Sequence, residues 1–443
     1  MDFLEKLNPQ QRQAVTAPDG PVLVVAGPGS GKTRVLTQRI AYLIASEGVR
    51  PWQILAVTFT NKAAKEMENR VKALLNERAT EGMALGTFHS ICARILRREA
   101  ERLPLESNFV IFDADDQERM VKTIIKEFNL NDKLYRAASV HAAILRAKNE
   151  LILPEDYPTG NYRDEVVKRV YAEYQKRLIA SNAVDFDDLL VYTARLLEEN
   201  PAVRDKYAQR FRHALVDEFQ DTNLAQYALV KQLASHHKNI FCVGDPDQSV
   251  YGWRGADYRN VRRFEQDFPD AQVILLEENY RSRQNILDAA MGVINRAKNR
   301  HKKRLFTQRG AGEKVVYHEA YNDYDEAAFA VNTIAQLVAS KQFEPGECAV
   351  MYRTNAMSRL IEEAFLQARL PYKLVGAQRF YGRREVKDVI AFIRLVHNPA
   401  DEASLARIIN VPPRGIGEKT LATLHLVARQ NGTTPGAVLL DLA

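Results

Sequence analysis

The stretch Ala26-Gly27-Pro28-Gly29-Ser30-Gly31-Lys32-Thr33 has the residue types of a loop that cradles the phosphates of a nucleoside triphosphate. Glycines let backbone N–H groups converge on phosphate oxygens, and the N-terminus of a following helix adds a favourable dipole. Lys32 can then reach the β- and γ-phosphates, and the Thr33 hydroxyl can ligate Mg²⁺. The usual pattern opens with Gly, and here Ala26 stands in that place. The flanks suit the reading: an apolar run, Val22–Val25, precedes the loop and helical spacing over Arg34–Ala45 follows it. A Gly-rich turn that merely closes a strand does not account for all three.

Two acids end a second apolar run, His213-Ala214-Leu215-Val216-Asp217-Glu218. Beside a phosphate loop, the first suits holding Mg²⁺ and the second suits orienting and deprotonating an attacking water. On their own, acids after a strand are common caps or solvated turns. Gly244-Asp245-Pro246-Asp247-Gln248-Ser249 follows a third run, and an amide there could bond both the γ-phosphate and the water. Asn279-Tyr280-Arg281-Ser282 offers an aromatic face next to a guanidinium, though a surface ring and a solvated charge are the plain alternative. Gln11, in Leu7–Arg12, reads locally as a surface residue of a capped helix.

Positioning these residues calls for a sheet whose strand ends share one edge. Short β-branched runs recur at Val22–Val25, Ile54–Thr58, Ala214–Asp217, Ile240–Gly244 and Val273–Leu276, each followed by polar residues and helical spacing. That is the pattern of a parallel, doubly wound α/β sheet. Between the second and third runs lies a long helical stretch: Thr87–Glu101, Ala114–Phe128, Ser139–Glu150, Tyr162–Ala180 and Asp187–Glu198. A helical domain inserted into an α/β domain is expected. A second strand series, Lys314–His318, Cys348–Tyr352 and Tyr372–Val375, predicts a second α/β domain, with helices after Phe380. The basic stretch Arg296–Arg309 reads as a solvated face. With 443 residues, 46% hydrophobic and 27% charged, the chain is long enough for several domains and too apolar to be largely disordered. A net charge of +6 permits a polyanionic partner without requiring one. No apolar run approaches the ~20 residues of a membrane span, and the N-terminus lacks a secretory layout. Three scattered cysteines form no CxxC pair, so a reducing cytoplasm is the expected location.

Taken together, the segments resemble the superfamily-one DNA helicases of the UvrD/Rep/PcrA group, over residues 1 to about 430. The resemblance rests on Leu7–Gln11, Ala26–Arg34, Ala56–Met67, Gly86–Ser90, Asp185–Leu190 and Val216–Asn223. It continues through Val243–Asp257, Leu276–Ser282 and Tyr352–Arg359. That family also carries Ala at the Ala26 position. The resemblance implies P-loop NTPase (RecA-like) motor domains: 1A at residues 1–105 and 183–278, 2A from 279 to 380. Helical domains 1B, residues 106–182, and 2B, 381–443, would accompany them. It implies ATP and Mg²⁺ as cofactors, with Lys32, Glu218, Gln248 and Arg281 catalytic and Thr33 and Asp217 at the metal. ATP would also touch Gln11, Ala26, Gly27, Pro28, Gly29, Ser30, Gly31, Arg34 and Tyr280. Gln11 would read the adenine edge, Arg34 and Tyr280 would sandwich the ring, and Arg281 would reach in from the far wall of the cleft.

Single-stranded DNA and single/double-strand junctions are the implied partners. Phe59, Tyr251 and Trp253 would be stacking platforms for unpaired bases, worth about 1–3 kcal/mol per base. Thr58, Thr60, His89, Arg254, Arg353 and Asn355 would be polar DNA contacts. Gln248 lies so close in sequence to Tyr251 and Trp253 that a shift at the γ-phosphate could move a base-stacking ring. The family's later motifs have no counterpart here, and the last residues read as a chain cut short. The implied function is an ATP-dependent 3′–5′ DNA helicase or single-strand translocase. A non-catalytic ATP- and DNA-binding fragment is the rival, and a P-loop ATPase or nucleotide kinase that ignores DNA is a weaker one.

Overall fold

A computed structural model of the chain describes residues 4–252, 255–297, 302–375 and 384–442. Two compact units emerge: Met1–Gly312 with Asp388–Ala443, and Glu313–Lys387. The first is built on a six-stranded sheet. Its strands are β1 (Val22–Ala26), β2 (Ile54–Thr58), β3 (Ala84–Thr87), β6 (His213–Val216), β7 (Ile240–Gly244) and β8 (Gln272–Leu276). They lie in the order β3-β2-β6-β7-β1-β8, and every pairing is parallel. Parallel strands joined by crossovers put all their C-terminal ends on one edge, where ligands of open α/β sheets bind.

Both faces of the sheet are covered, and the period-two alternation of side chains divides them. Leu23, Val25, Leu55, Val57, Ala214, Val216, Ile240 and Cys242 enter one buried cluster. Val22, Val24, Ala26, Ile54, Ala56, Leu215, Phe241 and Val243 enter the other. This two-sided burial is why the strands read as continuous apolar runs. The run expected at Ala214–Asp217 proves to be a strand one residue earlier, so Asp217 stands just past its end. β3 went unnoticed in the sequence because Ala84-Leu85-Gly86-Thr87 is short and contains a glycine.

The inserted segment has its own core. Helices Ala114–Glu127, Ala137–Asn149 and Tyr162–Ala180 bury Val121, Ile124, Ile144, Val170, Tyr171 and Tyr174 together. A two-stranded parallel ribbon, β4 (Val110–Ile111) with β5 (Ala183–Val184), closes the insertion where the chain leaves and returns.

The compact units part after residue 312, and the segment following β8 stays tied to the first: Tyr280 N–H donates to Gly29 O (3.0 Å) and Asn279 N–H to Phe306 O (2.8 Å). Residues from 388 onward likewise gather with the first unit, through Arg394–Asp116 (3.0 Å) and Asn398 Nδ2 donating to Ser181 O (2.9 Å). In the second unit the helices Asp323–Ala339 and Ser358–Gln367 form, but the expected strands do not: no strand occurs there among the described residues. Lys314–His318 runs exposed, with Tyr317 84% accessible, and no ladder satisfies its backbone as a strand requires.

Candidate active site

The phosphate loop leaves β1 and enters the helix Lys32–Ala45. Gly27 N–H donates to Leu276 O (2.9 Å) on β8, and Val35 N–H donates to Gly31 O (2.9 Å) to start the helix. Gly29 shows why glycine is needed: φ is +65°, and a Cβ there would lie 2.7 Å from Asn279 Nδ2 and 2.8 Å from Arg281 Cβ. Asn279 is a splint that sequence reasoning missed. Its Nδ2 donates to Pro28 O, while its Oδ1 accepts from Arg281 N–H (2.8 Å) and Ser282 N–H (2.6 Å). Arg281 is exposed, and its Cβ stands beside Gly29. The Ser30 hydroxyl turns inward to Gly27 O (2.7 Å).

Gln11 is buried, at 1% exposure, not the surface residue its local sequence suggests. It completes a capping box with Asn8 and donates from Nε2 to Ser30 O (2.8 Å), which braces the phosphate loop from outside. Both amide atoms are thus engaged by the protein. Asn8 Nδ2 in turn donates to Tyr280 Oη (2.8 Å), and Tyr280 donates to Glu278 (2.7 Å). Burial and Glu278 push the Tyr280 phenol up to about 12, and the Arg34 guanidinium is close enough to oppose that shift. Tyr280, Arg34 and Gln11 therefore gather on one side of the phosphate loop. Arg34 also donates to Lys6 O (2.7 Å).

Asp217 and Glu218 follow β6. Asp217 is 5% exposed, and burial together with the neighbouring Glu218 charge pushes its carboxyl up to about 7. Glu218 adopts a left-handed backbone, φ 50° and ψ 45°, a strained conformation for a residue with a side chain. There its carboxylate lies 3.2 Å from Lys32 Nζ, at an angle that makes no hydrogen bond, so the buried ammonium keeps unspent donors. From Glu218 a relay runs across the sheet edge. Gln220 Nε2 donates to Glu218 Oε2 (2.8 Å), and Gln220 Oε1 accepts from Asp245 N–H (2.8 Å). Asp245 then accepts from the Gln248 amide. Gly244 makes room: a Cβ there would lie 2.6 Å from Gln220 Oε1. Gln220 sits inside a recognised motif, but nothing in its sequence position announced a bridge between two strand ends.

Three residues beyond Gln248, the Tyr251 ring stacks on Phe59, which follows β2, with centroids 5.3 Å apart and planes 23° from parallel. Trp253 and Arg254 lie outside the described residues. Among the polar candidates, Thr58 is 1% exposed and ends β2 inside the sheet. Thr60 caps the helix Asn61–Leu74, accepting from Ala63 N–H (3.1 Å). His89 is partly buried with its ring edge-on to Phe186 (5.7 Å). Arg353 and Asn355 belong to the second unit, Arg353 exposed ahead of the short turn of helix Asn355–Met357. The stretch read as a solvated basic face is not uniformly so: Lys303 is buried against Asp245 and Asp247.

Comparison with known proteins gives the geometry a family. Residues 7–269 match the family model for the UvrD/REP helicase N-terminal domain, and residues 274–433 match the UvrD-like helicase C-terminal domain. The chain is 49% identical over 432 residues to the ATP-dependent DNA helicase PcrA of Bacillus subtilis, covering 97% of this chain and 58% of that protein. It is 48% identical over 454 residues to the ATP-dependent DNA helicase UvrD1 of Mycobacterium tuberculosis, covering 100% of this chain and 59% of that protein. The chain belongs to the UvrD-like helicase family. It spans a little under three-fifths of the length of these curated relatives. The parallel sheet and phosphate loop agree with a UvrD-like P-loop NTPase fold. Among the described residues, no helix is long and apolar enough to cross a membrane.

Proposed function

We propose that this chain binds ATP at the β1 loop and single-stranded DNA at the Phe59–Tyr251 stack, and that it works as part of a cytoplasmic ATP-dependent 3′–5′ DNA translocase or helicase acting at single/double-strand junctions. The observation that carries the reading is the hydrogen-bonded path from Glu218, which stands 3.2 Å from Lys32, through Gln220 and Asp245 to Gln248, three residues from a stacked aromatic pair. The relatives' names point the same way.

In this reading Lys32, whose buried ammonium keeps unused donors, binds the β- and γ-phosphates. Thr33 and Asp217 would hold Mg²⁺. The fit rests on Asp217, a buried carboxyl with too little positive charge around it, which a cation would ionise. Such an ion neutralises charge on the phosphate oxygens. Glu218 takes a proton from the attacking water as its oxygen bonds the γ-phosphorus and the bond to the β,γ-bridging oxygen breaks, giving ADP and phosphate. Arg281, beside Gly29, offsets charge developing on the transferred group. Gln248 bonds the γ-phosphate in exchange for its bond to Asp245, and Tyr251 shifts with it against a base.

Replacement of Glu218 by Gln should lower ATP turnover by about 10²–10⁴-fold, the usual contribution of a general base. ATP affinity, read by equilibrium titration, should stay within about tenfold. Turnover that survives the substitution would remove Glu218 from the mechanism.

A further inference from the structure

Lys303 does something the reading above leaves out. Its side chain is 2% exposed and pairs with Asp245, wholly buried, and with Asp247 (3.1 Å). An ammonium and a carboxylate taken this far out of water are costly to desolvate, and in some proteins such a cluster fixes one arrangement among several. Asp245 is the hub of that arrangement. It accepts from Lys303, Gln248 and Asp247 N–H (3.2 Å), and its own N–H is held by Gln220. Two residues along, Leu305 lies over Gly27 of the phosphate loop, where a Cβ on the glycine would collide with it. The segment is pinned between these contacts. Phe306 N–H donates to Glu277 O (3.2 Å), its carbonyl accepts from Asn279 N–H (2.8 Å), and Arg304 N–H donates to Glu277 Oε1 (2.6 Å). One short strap thus touches the phosphate loop with Leu305 and the Gln248 loop with Lys303.

We propose that Lys303 is a positioning residue that holds the Asp245–Gln248 loop in register with the phosphate loop, so that nucleotide and single-strand binding are coupled through it. The inference rests on the proposed function. If an occupied phosphate loop draws Gln248 away from Asp245, Lys303 is the contact that keeps Asp245 in place as a fixed anchor. Without that anchor, the loop would move independently of the nucleotide, and the two sites would be filled separately.

The test uses the whole 443-residue chain and two probes: the non-hydrolysable analogue AMP-PNP with Mg²⁺, and fluorescein-labelled oligo(dT). The ratio of oligo(dT) Kd values without and with AMP-PNP is the coupling factor. In the wild type it should differ from unity by about fivefold or more, in the ordinary range of coupling between sites. In Lys303→Met it should fall to within about twofold of unity, while AMP-PNP affinity measured without DNA changes less than about threefold. A merely structural role would instead lower both affinities and leave their ratio alone. Should the single variant fail to melt cooperatively, Asp245→Asn/Lys303→Met, which leaves fewer buried charges unpaired, takes its place with the same expectation. A folded variant that keeps the wild-type ratio overturns the inference. Failure of both variants to fold overturns it too, because the cluster is then scaffold. A wild-type chain with no coupling at all would overturn the functional reading itself.

Discussion

At the scale of single residues, the candidates differ in what already engages them. Lys32 and Glu218 converge with the ammonium's donors unspent, whereas Thr58 is enclosed and Gln11 is committed to Asn8 and Ser30. His89 is a further case, its pKa lowered to about 4 chiefly by desolvation, with Asp185 opposing. The folded chain therefore resists protonating this ring, while the unfolded chain takes up the proton near pH 6.5. Stability from this group is complete above pH 6.5 and is lost as pH falls towards 4. His141 and His213, also lowered by burial, add to the same slope. Replacement of His89 by Gln should flatten the dependence of unfolding free energy on pH between 6.5 and 4 by at most about 1.4 kcal/mol per pH unit. Urea midpoints across that window measure it, and an unchanged slope would mean the ring is already solvated.

At the scale of elements, the loops matter through what they are tied to. The Asp185–Leu190 segment was legible only as a family motif; the structure explains it physically. Asp185 and Asp188 form the capping box of the helix Phe186–Glu199, and Lys148 from the helix Ala137–Asn149 bonds both, at 2.6 and 2.7 Å. Tyr174 from a third helix donates to Asp185 (2.9 Å). The cluster locks the inserted helices to the sheet-bearing core. Lys148→Met leaves two carboxylates buried without a countercharge, and should cost about 3–5 kcal/mol of stability by denaturant unfolding. A loss below about 1 kcal/mol would show that water reaches the cluster. The five apolar strands and the helix Tyr162–Ala180 were readable because two-sided burial and 3.6-residue spacing leave a direct imprint on sequence. Gln220, Asn279 and Lys303 were not readable as partners. Each acts between strand ends far apart in the chain, and no local pattern encodes such a meeting. The second unit failed for the converse reason: β-branched residues at Lys314–His318 favour extension, but a strand exists only where a neighbour pairs with it.

At the scale of the molecule, membership of the UvrD-like helicase family and the parallel sheet together bring one sheet edge into focus. Along it the ends of β2, β6, β7 and β1 carry, in turn, the stacked ring, the acids, the amide and the phosphate loop. In the function proposed above, the amide at Gln248 transmits between the triphosphate and the aromatic pair. The most direct measurement is ATP turnover as a function of oligo(dT) concentration, for the wild type and for Gln248→Ala. The wild-type rate should rise by about tenfold or more at saturation, equivalent to about 1.4 kcal/mol of barrier, and the variant's rate should not respond to DNA. A variant stimulated as strongly as the wild type would contradict the claim.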